Sequence, residues 1–269
     1  MKNGKEGEKM IKFKIVPALA ALVGISMIFA LSSNAAKARG WYCVRAKDHA
    51  QPLCDADMRY VEDYGGYYID HSHGDGAAEK VVYLTFDAGY ENGNVEKILD
   101  IMKDEDVKGA FFILGNLIEK NGDLVRRMSD EGHTVANHTY SHKNMTKVGS
   151  YEEFTAELDR LSSAYKELTG KEMPKYYRPP EGTFDETTMK YAHDAGYKTI
   201  FWSFAYADWD NNRQMTPERA KKKILDNVHN GAVMLLHPTS ATNAAVLREV
   251  IKELKAEGYR FGTLDELTA

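Results

Sequence analysis

From residue 80 onward, short apolar and β-branched runs alternate with longer stretches whose apolar residues recur at helical spacing. This alternation limits what the chain can fold into more than any other feature. Val81-Val82-Tyr83-Leu84-Thr85 is the first run, and residues 93–105 then set Val95, Ile98, Leu99 and Met102 on one helical face. Residues 109–114 followed by 116–130, and 133–137 followed by 151–169, repeat the unit. Further strands are predicted at 176–178, 199–203, 233–236 and 259–261, with helices near 185–195, 217–229 and 242–257. Pro217 behind Thr216 reads as a capped helix start. Strands that alternate with helices pair in parallel and carry the helices outside, which defines an α/β fold. About seven parallel strands favour closure into a barrel over an open, doubly wound sheet.

Residues 1–79, before that rhythm, divide in two. Residues 1–14 hold five lysines against two glutamates, and residues 15–31 carry no charge, the arrangement of an export signal. An apolar run of 17 residues is at the short end of what spans a bilayer. Ser33-Asn34-Ala35 and Ala36-Lys37-Ala38 both offer the small-x-small pattern of a signal peptidase site, so residues 1–38 are read as a signal peptide or membrane anchor and cleavage is favoured. The chain is expected outside the cytoplasm, extracellular or in the cell wall. Residues 39–79, rich in Tyr, Gly, His and Asp, show no sustained period and read as an irregular lead-in to a domain over 80–269. His71 and His73 within it are metal ligands only on paper, since such clusters are usually solvated. Cys43 and Cys54 sit close together where a disulfide is chemically permitted.

Charge excludes one class of partner. The whole chain carries a formal charge of −5, and residues 1–38 contain six lysines and two glutamates, so the remainder stands at −9. Without a basic patch there is no footprint for nucleic acid.

Barrel chemistry gathers at the C-terminal ends of the strands, and polar residues fall there repeatedly. Asp87 follows the first strand, His138 and His142 the third, Arg178 the fourth, Asp208 and Trp209 the fifth, and His237 ends the sixth. Singly each has an ordinary reading as a helix cap, a surface group or a satisfied core histidine. Jointly, so many charged groups on one rim are costly to bury without a purpose. His138 and His142, four residues apart and predicted to share one helical turn, would point both imidazoles the same way and could grip one divalent ion. The set reads as a catalytic site.

The same residues resemble the polysaccharide deacetylase family, carbohydrate esterase family 4 (the NodB homology domain), over roughly residues 80–267. Thr85-Phe86-Asp87 is similar to the family's first motif, His138 to His142 to its paired-histidine motif, and Arg178-Pro179-Pro180-Glu181-Gly182 to its Arg-Pro-Pro segment. Asp208-Trp209 resembles the fourth motif and Leu235-Leu236-His237 the last. The resemblance implies a distorted (β/α) barrel that uses a divalent metal, zinc by expectation, to hydrolyse N-acetyl groups from sugars. It implies Asp87 as general base, His138 and His142 as metal ligands, and His237 as general acid. Arg178 would orient Asp87, Asp208 would orient His237, Trp209 would line the site, and the backbone N–H of Glu181 would meet the oxyanion.

One departure narrows the resemblance. The family's first motif carries two successive aspartates, the second a metal ligand, whereas this chain has Ala88, whose methyl group cannot coordinate. Thr85-Phe86-Asp87-Ala88-Gly89-Tyr90-Glu91 instead looks like the branch called delta-lactam-biosynthetic de-N-acetylases, with Tyr90 a candidate substrate contact. That branch implies N-acetylmuramic acid in the peptidoglycan strands of spore cortex as substrate. Two other readings stay open: a deacetylase of N-acetylglucosamine in peptidoglycan or chitin-like oligomers, and a wall-glycan binding protein that has lost efficient catalysis.

Overall fold

The computed structural model describes Met1, residues 37–74 and residues 76–269. The expected export segment, residues 1–38, lies almost wholly outside the described residues. Among those that are described, no helix is long and apolar enough to cross a membrane.

The described residues from 37 onward belong to one compact unit. The lead-in contributes β1 (Arg39–Gly40), α1 (Tyr60–Asp63) and β2 (Gly66–Tyr67). The repeating part then runs β3 (Lys80–Ala88), α2 (Val95–Asp104), β4 (Ala110–Ile113), α3 (Gly115–Asp130), β5 (Thr134–Asn137), α4 (Tyr151–Thr169) and β6 (Tyr176–Tyr177). It continues with β7 (Thr183–Phe184), α5 (Glu186–Asp194), β8 (Lys198–Ile200), α6 (Pro217–Leu225), β9 (Ala232–Leu236), α7 (Ala241–Ala256), β10 (Tyr259–Phe261) and α8 (Leu264–Leu267). The predicted helix starts carry their caps: Ser150 accepts from the Glu153 N–H, and Thr216, ahead of Pro217, accepts from the Arg219 N–H.

All seven strands expected from the sequence are present and pair in parallel, as an α/β barrel requires. The order runs β9, β3, β4, β5, β6, β8, with β10 beside the start of β3. The chain just after β8 returns to β9, where Phe204 bridges Met234 and the Leu235 N–H donates to Phe204 O, so the sheet curls into a distorted barrel. An eighth parallel strand, β2, lies along β8 and comes from the lead-in segment. β1 pairs antiparallel with β7. Strands of two residues are too short to leave a period in the sequence, and for that reason this stretch reads as irregular.

Alternation along β3 divides the core. Val82, Leu84 and Phe86 pack outward on Ile98, Leu99 and Met102 of α2 and on Val250, Ile251 and Leu254 of α7. Val81 and Tyr83 pack inward with Phe112, Ala136, Ile200 and Val233. Both faces of a parallel sheet are thus dry, and Asp87, in register with Phe112, continues the inward series at the C-terminal rim.

Cys43 and Cys54 are free thiols, not the permitted disulfide. Both belong to an apolar cluster around Trp41, Phe184 and Phe201, and each S–H has a carbonyl acceptor: Trp202 O for Cys43 and Asp55 O for Cys54. Burial pushes the thiols up to about 12 and about 11, so neither supplies the thiolate that disulfide exchange needs.

Candidate active site

Asp87 owes its ionised state to Arg178. The Arg178 guanidinium is fully buried, and every acceptor around it is used: Nη1 donates to Asp87 Oδ1 at 2.8 Å, Nη2 to Thr85 Oγ1 and Phe201 O, and Nε to Ile200 O. It also lies over the Phe112 ring, 4.1 Å from its centroid. Burial alone would protonate the Asp87 carboxyl, but the charge of Arg178, aided by His138 and His237, holds it below the usual carboxylate range.

The two histidines of the third strand end do not share a helical turn. Residues 138–142 form a loop in which Thr139 and His142 both take the left-handed conformation, at φ 71° and 56°. Side chains close it: the Thr139 N–H donates to Asn137 Oδ1, and the His142 N–H donates to Thr139 Oγ1. The rings nonetheless converge, with centroids 5.1 Å apart. His138 Nδ1 bonds to Arg178 O at 2.8 Å, which leaves Nε2 free, 3.5 Å from Asp87 Oδ2. Burial lowers His138 to about 4, so its imidazole is neutral at physiological pH.

Across the rim stands the second pair. His237 follows β9, and Asp208, 1% exposed, holds it twice: Oδ1 takes Nδ1 at 2.7 Å and Oδ2 takes the backbone N–H at 2.8 Å. Burial works against the imidazolium, but the Asp208 hydrogen bond and charge outweigh it and raise His237 above the ordinary histidine value.

Between the pairs lies a cleft of about 520 Å³ lined by Asp87, His138, His142, Glu181, Trp209 and His237, together with Gly182, Trp202, Ala205, Tyr206 and Leu235. That volume suits a sugar-sized group. Glu181 sits at φ 59° in the turn after the two prolines. Gly182 follows at φ 63°, and a Cβ there would come within 2.5 Å of the Trp202 ring. Arg178 and Asp208 lie behind the cleft, each gripping a residue that lines it. Tyr90 is not among the lining residues; it is exposed, and its hydroxyl accepts from Asn211 Nδ2. His71 and His73 do not reach the cleft either, being paired with Glu62 and with Asp70 and Glu79. Trp202, Tyr206 and Ala205 were not singled out from the sequence; Trp202, in the run predicted as the fifth strand, was findable as a strand-end aromatic.

Fold and site together define an α/β barrel with an Arg-paired carboxylate and an Asp-paired histidine facing each other across one cleft. A model of the polysaccharide deacetylase family matches residues 74–200. The chain is 44% identical to an uncharacterized 30.6 kDa protein of Geobacillus stearothermophilus, over 84% of each chain. It is 37% identical to the peptidoglycan-N-acetylmuramic acid deacetylase PdaA of Bacillus subtilis, again over 84% of each. The solved structure of that PdaA, a family 4 carbohydrate esterase, superimposes with a TM-score of 0.81 over 86% of this chain and 97% of the other, at 36% identity. The chain belongs to the polysaccharide deacetylase family, carbohydrate esterase family 4.

Members of that family generally depend on a divalent metal. Both imidazoles reach the cleft here, His138 is neutral with its Nε2 free, and Asp87 is the carboxylate beside it. Those donors fit a divalent ion that accepts imidazole nitrogen. Ala88, fully buried, adds none, and among the described residues no three His, Cys, Asp or Glu side chains are grouped to hold an ion. The fit is to a two-nitrogen site with one carboxylate nearby, weaker than the three-ligand sites usual for catalytic zinc.

Proposed function

We propose that the chain removes N-acetyl groups from peptidoglycan amino sugars, with N-acetylmuramic acid as the residue deacetylated, on the way to muramic delta-lactam in spore cortex. The observation that carries this reading is the pairing of Asp87 with Arg178 and of His237 with Asp208 on opposite sides of one cleft. A module that only binds glycan has no use for an acid and a base prepared in this way. The choice of muramic acid is supported by the similarity to the Bacillus subtilis deacetylase of that residue.

His138 and His142 would hold the divalent ion, zinc by donor type, which when bound polarises the acetamide carbonyl and lowers the pKa of water. Asp87, an anion at neutral pH, takes the proton of the attacking water. The Glu181 N–H, on the turn that lines the cleft, donates to the oxygen on which charge develops. His237 gives its proton to the departing amine, and Trp209, 60% exposed at the rim, offers its face to a sugar ring. The substrate is a wall polymer, so the protein acts after export.

The test is acetate release from purified peptidoglycan strands with and without their peptide stems, followed by mass spectrometry of the digested glycan. Muramic acid or its lactam should form on stem-free strands, where the lactyl carboxyl is free to close on the new amine. Deacetylated glucosamine alone would favour a second reading, supported by a Bacillus cereus peptidoglycan-N-acetylglucosamine deacetylase that is 34% identical over 69% of this chain and 67% of its own. No acetate from either substrate would leave the glycan-binding reading.

Two further results are expected. With only two nitrogens to grip it, the ion should be carried at less than one per chain after purification, and chelators should abolish activity that added divalent metal restores; full, chelator-resistant occupancy would mean a third ligand from another residue. The rate should also hold through neutral pH and fall on the alkaline side, as His237 loses its proton above the ordinary histidine value. Asp208→Asn should move that alkaline limb to lower pH, because burial is then opposed only by the charge of Asp87. An unmoved limb in a pH–rate profile would take His237 out of the acid role.

A further inference from the structure

Asp208 is itself held. Its Oδ2 accepts from Asn243 Nδ2 at 2.6 Å, and the same amide nitrogen donates to His237 O at 3.1 Å. Asn243 is 1% exposed, lies in the first turn of α7, and does not line the cleft. An asparagine amide can flip, and only one of its two ends suits a carboxylate. Here Asp208 Oδ2 and His237 O, both acceptors, require the NH₂ end, and the Tyr206 hydroxyl completes the arrangement by donating to Asn243 Oδ1. The backbone is fixed too: Ser240 caps α7 by accepting the Asn243 N–H at 3.1 Å, and Ser240 Oγ donates in turn to Gln214, whose amide donates to Asp208 O.

We infer that Asn243, braced by Tyr206, is a positioning residue for the acid half of the site. It holds the Asp208 carboxylate in the rotation that aims Oδ1 at His237 Nδ1, and it anchors the His237 carbonyl, so that Nε2 faces the cleft. Without the amide, Oδ2 keeps one donor, the His237 N–H, and the carboxylate can turn about its Cβ–Cγ bond. A buried carboxylate that loses one of two donors is also more basic, which strengthens its pull on the imidazolium and carries the His237 proton to higher pH. The effect falls on proton delivery more than on sugar binding, because Asn243 does not itself line the cleft and reaches it only through His237 and Tyr206. This inference rests on the proposed roles of Asp208 and His237.

The experiment is a double-mutant cycle in the full-length, metal-loaded protein, reading acetate release from glycan strands for wild type, Asn243→Leu, Asp208→Asn and the pair, with melting temperatures alongside. Asn243→Leu should lower kcat by about tenfold or more, the order expected for a hydrogen bond to a charged group, with KM little changed and the alkaline limb moved to higher pH. Added to Asp208→Asn it should cost almost nothing further in kcat, because the carboxylate it acts on is already gone. Tyr206→Phe, which deletes the hydroxyl bonded to the amide oxygen, should give a smaller loss of kcat in the same direction. If Asn243→Leu does not fold, it serves as the reporter and, because Tyr206 lines the cleft, is held to the same test of unchanged KM and loss of the penalty in the Asp208→Asn background. An undiminished penalty in the Asp208→Asn background, or a rise in KM at constant kcat, would overturn the inference. If Asp208→Asn itself left kcat unchanged, the failure would lie with the proposed acid pair.

Discussion

Asp87→Asn should lower kcat for acetate release by about 10²–10⁴-fold, the range in which a positioned proton acceptor contributes, while the protein stays folded. The substitution is close to isosteric, and the new amide oxygen can still accept from Arg178 Nη1, but an amide cannot take a proton from water. Arg178 then loses its ion-pair partner among the described residues and keeps three neutral acceptors, Ile200 O, Phe201 O and Thr85 Oγ1. Stability should fall, because a buried cation without its counterion is costly, and the three remaining bonds should keep it in place. The variant must be compared with wild type at matched metal content, since Asp87 Oδ2 is 3.5 Å from His138 Nε2 and the change also weakens the ion's surroundings. Retention of more than about a tenth of the wild-type kcat at equal metal content would mean that another group takes the proton.

Much of this site was legible because barrel strands are periodic and their C-terminal ends are where side chains meet. Asp87, His138, His142, Trp209 and His237 were all placed by counting strand ends, and all five line the cleft. The route was wrong for one pair: His138 and His142 converge through a loop with two left-handed residues, a geometry that needs the Asn137 and Thr139 side chains to close it. Four-residue spacing fits both arrangements, and the sequence does not distinguish them. Tyr90 went astray for a similar reason, since it follows the end of β3 by two residues in a loop whose direction no pattern gives. Asn243 carried no signal, because an asparagine in the first turn of a helix is ordinary, and what singles it out is a neighbour 35 positions away. The lead-in was underestimated: Trp41 donates its backbone N–H to Gly182 O and its indole N–H to Trp202 O, bracing two residues that line the cleft. Contacts between remote segments leave no trace in local periodicity.

Arg178→Met should be the most destabilising change in the site, by about 3–5 kcal/mol at neutral pH, because removing one partner of a buried ion pair strands the other. For a domain of this size that corresponds to a fall in melting temperature of about 6–20 °C. Methionine fills similar space on the Phe112 ring, so the loss is electrostatic: Asp87, with its side chain 11% exposed, is left without its cation, and Ile200 O, Phe201 O and Thr85 Oγ1 lose their donor. The pH dependence distinguishes this cause from a packing defect. In the wild type, the depressed Asp87 pKa contributes stability that is present above the ordinary carboxylate value and is lost as pH falls through the folded one. In the variant, burial dominates and lifts the folded pKa above the unfolded value, so between the two the native state binds more protons and its stability decreases as pH rises. The deficit relative to wild type should therefore be largest at neutral and alkaline pH and should shrink on acidification. Urea denaturation of both proteins at about pH 5 and about pH 8 checks it: a deficit that is equal at the two values would mean that Arg178 acts by filling space and not by holding the charge on Asp87.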